Sequence, residues 1–173
     1  MPLLRGRRDE VRPTRYRMQE KLFAIGDDFW VENEGGQRAF KVNGKAIRVR
    51  DTLVLESPRG EELYSIQEKM VRVRDTMDIE RGGRQVATVK KALITPLRER
   101  FSIDVDGGDD MEAKGNILDH EYKIERGGDE IAEVSRRWFR VRDTYGVDIK
   151  PGQDDALVLA VVVCIDQMTQ DVA

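Results

Sequence analysis

Residues 154–165 read Asp154-Asp155-Ala156-Leu157-Val158-Leu159-Ala160-Val161-Val162-Val163-Cys164-Ile165, and the last ten positions hold no polar side chain. Asp154 or Asp155 suits a helix N-terminus, where a carboxylate accepts orphan N–H groups and opposes the positive end of the dipole. The valines favour a strand, so a final strand competes with the helix. A helix that is apolar all round must be buried on every side. Over 155–168 it would be about 21 Å long, short of the roughly 30 Å hydrocarbon core of a bilayer. The run is therefore not read as a membrane span, and it needs a container made of protein.

The rest of the chain supplies one. Glu34-Gly35-Gly36-Gln37, Ser57-Pro58-Arg59-Gly60, Arg81-Gly82-Gly83-Arg84, Asp106-Gly107-Gly108-Asp109 and Arg126-Gly127-Gly128-Asp129 recur at intervals of about 20 to 25 residues. Glycine supplies the positive φ of hairpin turns, and the flanks alternate as half-buried strands do, with Leu63, Ser65 and Gln67 set against Tyr64 and Ile66. Five hairpins make ten strands. An opening strand near 15–25 and a closing one near 145–149 bring the total to about twelve.

Repeats tie these strands into one unit. Arg-Val-Arg-Asp-Thr occurs at 48–52, 72–76 and 140–144, each copy preceded by an apolar residue (Ile47, Val71, Phe139) and followed by another (Leu53, Met77, Tyr145). Ile79-Glu80-Arg81-Gly82-Gly83 returns as Ile124-Glu125-Arg126-Gly127-Gly128, each followed by a Val-Ala or Ile-Ala step, Val86-Ala87 and Ile131-Ala132. The unit is strand, glycine turn, strand and a bend at Arg-Asp-Thr. The leucine consensus of leucine-rich repeats is absent, and propeller blades need about 40 residues each. The sequence predicts an all-β fold: a closed antiparallel barrel of about twelve strands enclosing a hydrophobic C-terminal helix at about 155–168. Residues 1–13 read as a basic, disordered arm and 14–173 as a single domain. Closure removes exposed strand edges and leaves an interior that the helix can fill.

Composition limits the function classes. Charged residues make up 36% of the chain, yet the net charge is only −3, so the chain as a whole is no polycation seeking nucleic acid. Aromatics interleaved with basic residues for base stacking are also missing, and Trp30 and Trp138 read as strand residues. The lone Cys164 fits a reducing compartment, and Met1–Arg17 has no apolar signal core, so a cytoplasmic protein is expected.

Several segments resemble the LURP-one-related family, within the tubby C-terminal-like superfold that also includes the phospholipid scramblases. They are Glu20-Lys21-Leu22-Phe23, the Arg-Asp-Thr copies, Lys91-Ala92-Leu93-Ile94-Thr95-Pro96-Leu97, Ile117-Leu118-Asp119-His120-Glu121-Tyr122, and Asp154-Asp155-Ala156 with its apolar run. The resemblance spans about residues 14–168 and implies a twelve-stranded barrel around a central helix. Tubby domains bind phosphoinositide headgroups and scramblases act on lipids, so the resemblance implies lipid binding. Unlike scramblases, the chain has no span outside the barrel, no palmitoylation cluster and no Pro-rich arm.

Among candidate sites, His120 is the only histidine, and strand alternation would place it with Tyr122 on one face and Glu121 on the other. No Gly-x-Ser-x-Gly elbow accompanies it, and one histidine with one cysteine makes no zinc site, so His120 reads as structural. The glycine pairs lack the Gly-Lys-Ser/Thr of a phosphate loop. Neither catalytic residues nor a cofactor or metal are expected. In the pentamers the paired arginines (Arg48, Arg50, Arg72, Arg74, Arg140, Arg142) share a strand face, and Asp51, Asp75 and Asp143 are their expected partners. Lys90, Lys91, Arg136 and Arg137 have fewer acids nearby and form the first candidate patch for an anion or lipid headgroup. The arginines at 5, 7, 8, 12 and 15 are a second basic feature, attracted to an anionic membrane or simply solubilising. The function expected is a non-enzymatic binding or scaffold module that recognises anionic phospholipid headgroups from the cytoplasm or the membrane periphery. A protein–protein adaptor for an unidentified partner is the alternative, and an enzyme on a lipid or phosphorylated small molecule ranks third.

Overall fold

Each glycine-bearing turn closes a hairpin. The computed structural model describes residues 12–19, 28–45, 52–68, 76–95, 98–140 and 143–170. Its strands are β1 (Thr14–Gln19), β2 (Phe29–Asn33), β3 (Arg38–Lys45), β4 (Thr52–Glu56), β5 (Glu62–Glu68) and β6 (Thr76–Arg81). They continue as β7 (Arg84–Thr95), β8 (Arg98–Val105), β9 (Met111–Asn116), β10 (Glu121–Arg126), β11 (Asp129–Ser135) and β12 (Thr144–Ile149). Every strand is antiparallel to its neighbours in a meander, and β1 pairs with both β2 and β12 to close the barrel.

The five predicted hairpins join β2–β3, β4–β5, β6–β7, β8–β9 and β10–β11. Four of them share a bulge just after the turn, with Ala39, Leu63, Val86 and Ile131 as the extra residues. The repeated apolar-Ala step of the sequence is this bulge: Val86 and Ile131 are inserted, and Ala87 and Ala132 resume the register opposite Ile79 and Ile124. A repeated bulge bends and twists each hairpin in the same sense, which is what closing a barrel requires.

The pentamer has an equally local meaning. Its threonine opens a strand in all three copies, as Thr52 of β4, Thr76 of β6 and Thr144 of β12. In the third copy Asp143 sits at φ 59°, in the left-handed region that aspartate tolerates better than most residues. Arg48, Arg50, Asp51, Arg72, Arg74, Asp75 and Arg142 lie outside the described residues, as does the arm before Arg12.

Helix α1 (Asp155–Gln170) resolves the helix–strand alternative. Leu157 to Ile165 are all buried, most of them with no exposed surface, so the barrel wall surrounds the helix. Among the described residues no helix is long and apolar enough to cross a membrane. Asp154 is the N-cap: its Oδ1 accepts the Leu157 N–H at 3.1 Å. The wall holds this end with two tyrosines, Tyr64 Oη–H donating to Asp154 Oδ2 and Tyr16 Oη–H to Asp155 Oδ2, both at 2.5 Å.

Two predictions follow from this packing. Val162→Asp places an unpaired charge in the barrel core and should cost several kcal/mol, enough to abolish folding; a soluble variant with a cooperative urea transition would contradict an enclosed helix. Burial, then the bond to Asp154, pushes the Tyr64 hydroxyl up to about 12, and burial with Asp155 raises Tyr16 in the same direction. The folded state thus holds these protons more tightly than the unfolded chain. Their stabilising contribution is intact below about pH 10 and is lost as pH rises towards the folded values. Denaturation midpoints measured between about pH 9 and 12 should therefore fall less steeply in Tyr16→Phe with Tyr64→Phe than in the wild type. An unchanged slope would remove the tyrosines as alkaline-sensitive anchors.

Candidate functional site

In a meander all odd-numbered strands run one way, so the barrel has two distinct ends. The glycine hairpins and the start of α1 lie at one. At the other lie the end of α1, the β9–β10 turn and the connection from β11 to β12. The polar interior of the molecule collects at this second end.

Asp166, on the last turns of α1, is 5% exposed and the only charged side chain in the helix after its first residue. It accepts from Tyr145 Oη–H of β12, and His120 Nε2 lies 3.1 Å from its Oδ1. The His120 ring stacks on Tyr145, with centroids 4.2 Å apart and planes 24° from parallel. On its other edge, His120 Nδ1 faces Arg136 Nη2 at 3.3 Å. A guanidinium only donates, so Nδ1 is the acceptor and the proton sits on Nε2, donated to Asp166. Tyr122 is buried nearby, and its hydroxyl has no hydrogen-bond partner among the described residues. Burial first, and then the Asp166 charge, raises the Tyr122 hydroxyl well above its ordinary value.

The local chain holds these groups in place. His120 is not a strand residue: it ends the turn after β9 at φ 52°, with its N–H bonded to Ile117 O at 3.1 Å. Alternation nevertheless buries His120 and Tyr122, while Glu121 is half-buried. Opposite Tyr122 stands Gly115 at φ 136°, where a Cβ would lie 2.7 Å from Glu121 O, so only glycine lets β9 and β10 approach this closely. Glu121 then clamps the next connection, accepting from Ser135 Oγ–H at 2.8 and 2.9 Å and from the Arg136 N–H at 3.0 Å.

The four residues expected to form one basic patch do not all share one outward face. Neighbours on a strand face opposite ways: Lys91 shares the parity of Ala87 and Val89 and is buried, at 7% exposed. Lys90 points outward and pairs with Asp104 at 2.5 Å. Arg136 turns towards His120, while Arg137 is exposed beside Glu121 at 3.4 Å and Glu133 at 3.9 Å. Trp138 departs from the expectation too. It lies in the β11–β12 connection, where it and Phe139 fold over β12 against Gly146, whose Cβ would meet them at 2.7 and 2.8 Å. Arg15 covers the Trp138 ring at 4.2 Å and forms a two-point pair with Asp148 at 2.6 and 2.8 Å.

Chemically, the site has the histidine–carboxylate pair of a hydrolase, but a guanidinium stands where a nucleophile would be. Ser135 Oγ is engaged with Glu121, and burial raises the Cys164 thiol far above its ordinary value. Among the described residues no three His, Cys, Asp or Glu side chains group to hold a metal. The arrangement is a buried hydrogen-bonded cluster that ties α1, β12 and the β9–β10 turn together.

Known proteins share this framework. The chain is 26% identical to the "Uncharacterized protein YxjI" of Bacillus subtilis (strain 168) over 151 residues, covering 87% of this chain and 91% of that one. The X-ray structure of an Arabidopsis thaliana protein superposes with a TM-score of 0.69 at 20% identity, over 90% of this chain and 91% of the other, a likeness of fold. The profile of the LURP-one-related family matches residues 14–166, which include every strand, the His120 turn and Asp166. The chain therefore belongs to the LURP-one-related family.

Proposed function

We propose that the protein is a non-enzymatic binding module that recognises anionic lipid headgroups with the end of the barrel where α1 finishes. The observation that carries this reading is the charge difference between the two ends. Among the described residues, the connections at the α1 C-terminal end carry three Lys or Arg against three Asp or Glu, whereas those at the glycine-hairpin end carry two against six. Arg140 of the third pentamer belongs to the first group. The arm of residues 1–13 precedes β1, which starts at the glycine-hairpin end.

Three further features support the reading. The interior is filled by the protein's own helix, so recognition falls to the outer surface. Leu118, the exposed large apolar side chain among the described residues, sits on the β9–β10 turn at the α1 C-terminal end, suited to contact with an interface. The outer face of the wall is largely self-neutralised, as in the Arg100–Glu112–Lys114–Glu125 series, and offers an anion less than the end does. The resemblance to tubby and scramblase domains points to the same ligand class. On this reading the protein works in the cytoplasm at the periphery of a membrane.

Flotation with liposomes across a salt series tests it. Binding should require anionic lipid, fade as salt screens the charges, and weaken more than about tenfold in Arg137→Glu with Arg140→Glu, since each basic residue at such a surface contributes ~1 kcal/mol. Both side chains are exposed, so the variant should fold normally. Equal binding to neutral vesicles, or none at low salt, would overturn the headgroup reading and leave a protein partner as the ligand.

A further inference from the structure

The barrel closes where its first and last strands meet. Neighbouring strands elsewhere in the wall follow one another in the chain, but β1 and β12 do not, so docking β1 on β12 carries the entropy cost of a loop that spans the whole barrel. β1 pairs with β12 along its full length, from Thr14 opposite Ile149 to Gln19 opposite Thr144. With β2 it pairs, among the described residues, at Tyr16–Asn33 and Arg17–Glu32. The β11–β12 connection lies across this seam from outside. Glu121 of β10 holds its start by accepting from Ser135 Oγ–H and the Arg136 N–H. The Phe139 N–H then donates back to Arg136 O at 3.3 Å, and Trp138 and Phe139 lie over Gly146 of β12. Gly146 is the partner of Arg17 on β1, and a Cβ there would sit 2.7 and 2.8 Å from the two rings. From β1, the Arg15 guanidinium reaches back over the Trp138 ring at 4.2 Å and donates to both oxygens of Asp148 on β12. The connection thus joins β10, β12 and β1 through contacts that no strand ladder makes.

We propose that the β11–β12 connection is a clasp on the closing seam: Trp138, seated on Gly146 and covered by Arg15, keeps β1 docked on β12, and its release frees β1 while the other strands stay paired. The clasp is independent of any ligand. Trp138, Phe139 and Arg15 are half-buried on the outside of the wall, so they can part without disturbing the packed interior. Freeing β1 withdraws the buried Tyr16 and Met18 from the core and breaks the Tyr16 bond to Asp155 at the start of α1. It thereby opens a route to the apolar interior that global unfolding is not needed to reach. Across the barrel, β7 and β8 pair with each other and with β6 and β9 along extended ladders, so an opening at the seam leaves them in place.

Native-state amide hydrogen exchange on the full chain tests the clasp. In the wild type, the amides that β1 and β12 share should exchange by a local opening, ahead of those between β7 and β8. Trp138→Ala should speed the β1 amides by about tenfold and leave the β7–β8 amides much less changed. Gly146→Ala, which keeps both aromatic rings but pushes them off β12, should give the same pattern. Arg15→Lys keeps a cation opposite Asp148 and loses the planar contact with the indole; it should give a smaller increase at the same amides, and it reads the seam even if Trp138→Ala fails to fold. Equal acceleration in every strand would make Trp138 a contributor to global stability alone and overturn the clasp. Unchanged exchange in β1 in the folded variants, or wild-type β1 amides protected as strongly as those of β7 and β8, would overturn it too.

Discussion

Burial of the apolar face that α1 presents all round its axis is the constraint on which the rest of the structure depends. Val158 to Ile165 cannot meet water on any side, and only a closed wall surrounds a helix completely. Closure requires twisted hairpins, which the repeated bulges at Ala39, Leu63, Val86 and Ile131 provide. It also requires the helix to enter at a set depth. The Asp154 cap and the bonds from Tyr16 and Tyr64 fix that depth at one end, and Asp166 with Tyr145 and His120 fixes it at the other. The apolar stretch between the two anchors leaves the helix no comparable alternative register.

Filling the interior also decides where function resides. An empty barrel of this size would offer a lumen for a ligand; here the lumen is occupied by the chain itself. On the headgroup reading, recognition passes to the outer surface and to the two ends, which differ in charge among the described residues. The polar groups at the α1 C-terminal end serve twice, anchoring the helix inside and presenting Arg136, Arg137 and Arg140 at or near the surface.

What could be read from the sequence was local. A turn glycine supplies positive φ, so all five hairpins, four with a glycine pair and one with Pro58-Arg59-Gly60, were legible, and ten consecutive apolar positions ask for burial whatever surrounds them. The echo of Val86-Ala87 in Ile131-Ala132 was visible as a repeat, but its meaning as a bulge needed the strand pairing. The Asp166–His120 pair was not legible: the residues are 46 positions apart, and only the depth of the helix brings them together. Two signals were present and under-read. Lys90 and Lys91 are neighbours on a strand and so could never share a face. Gly146, in the middle of a strand, marked the close approach that Trp138 and Phe139 make.

The central claim, that an anionic surface meets the barrel at one end while the helix core stays closed, is tested most directly by mapping amide shifts on titration with anionic bicelles. The account predicts perturbations confined to residues 117–120 and 136–140, with Val158 to Ile165 and the glycine hairpins unmoved. Shifts centred on the glycine hairpins, or spread through the helix, would contradict it.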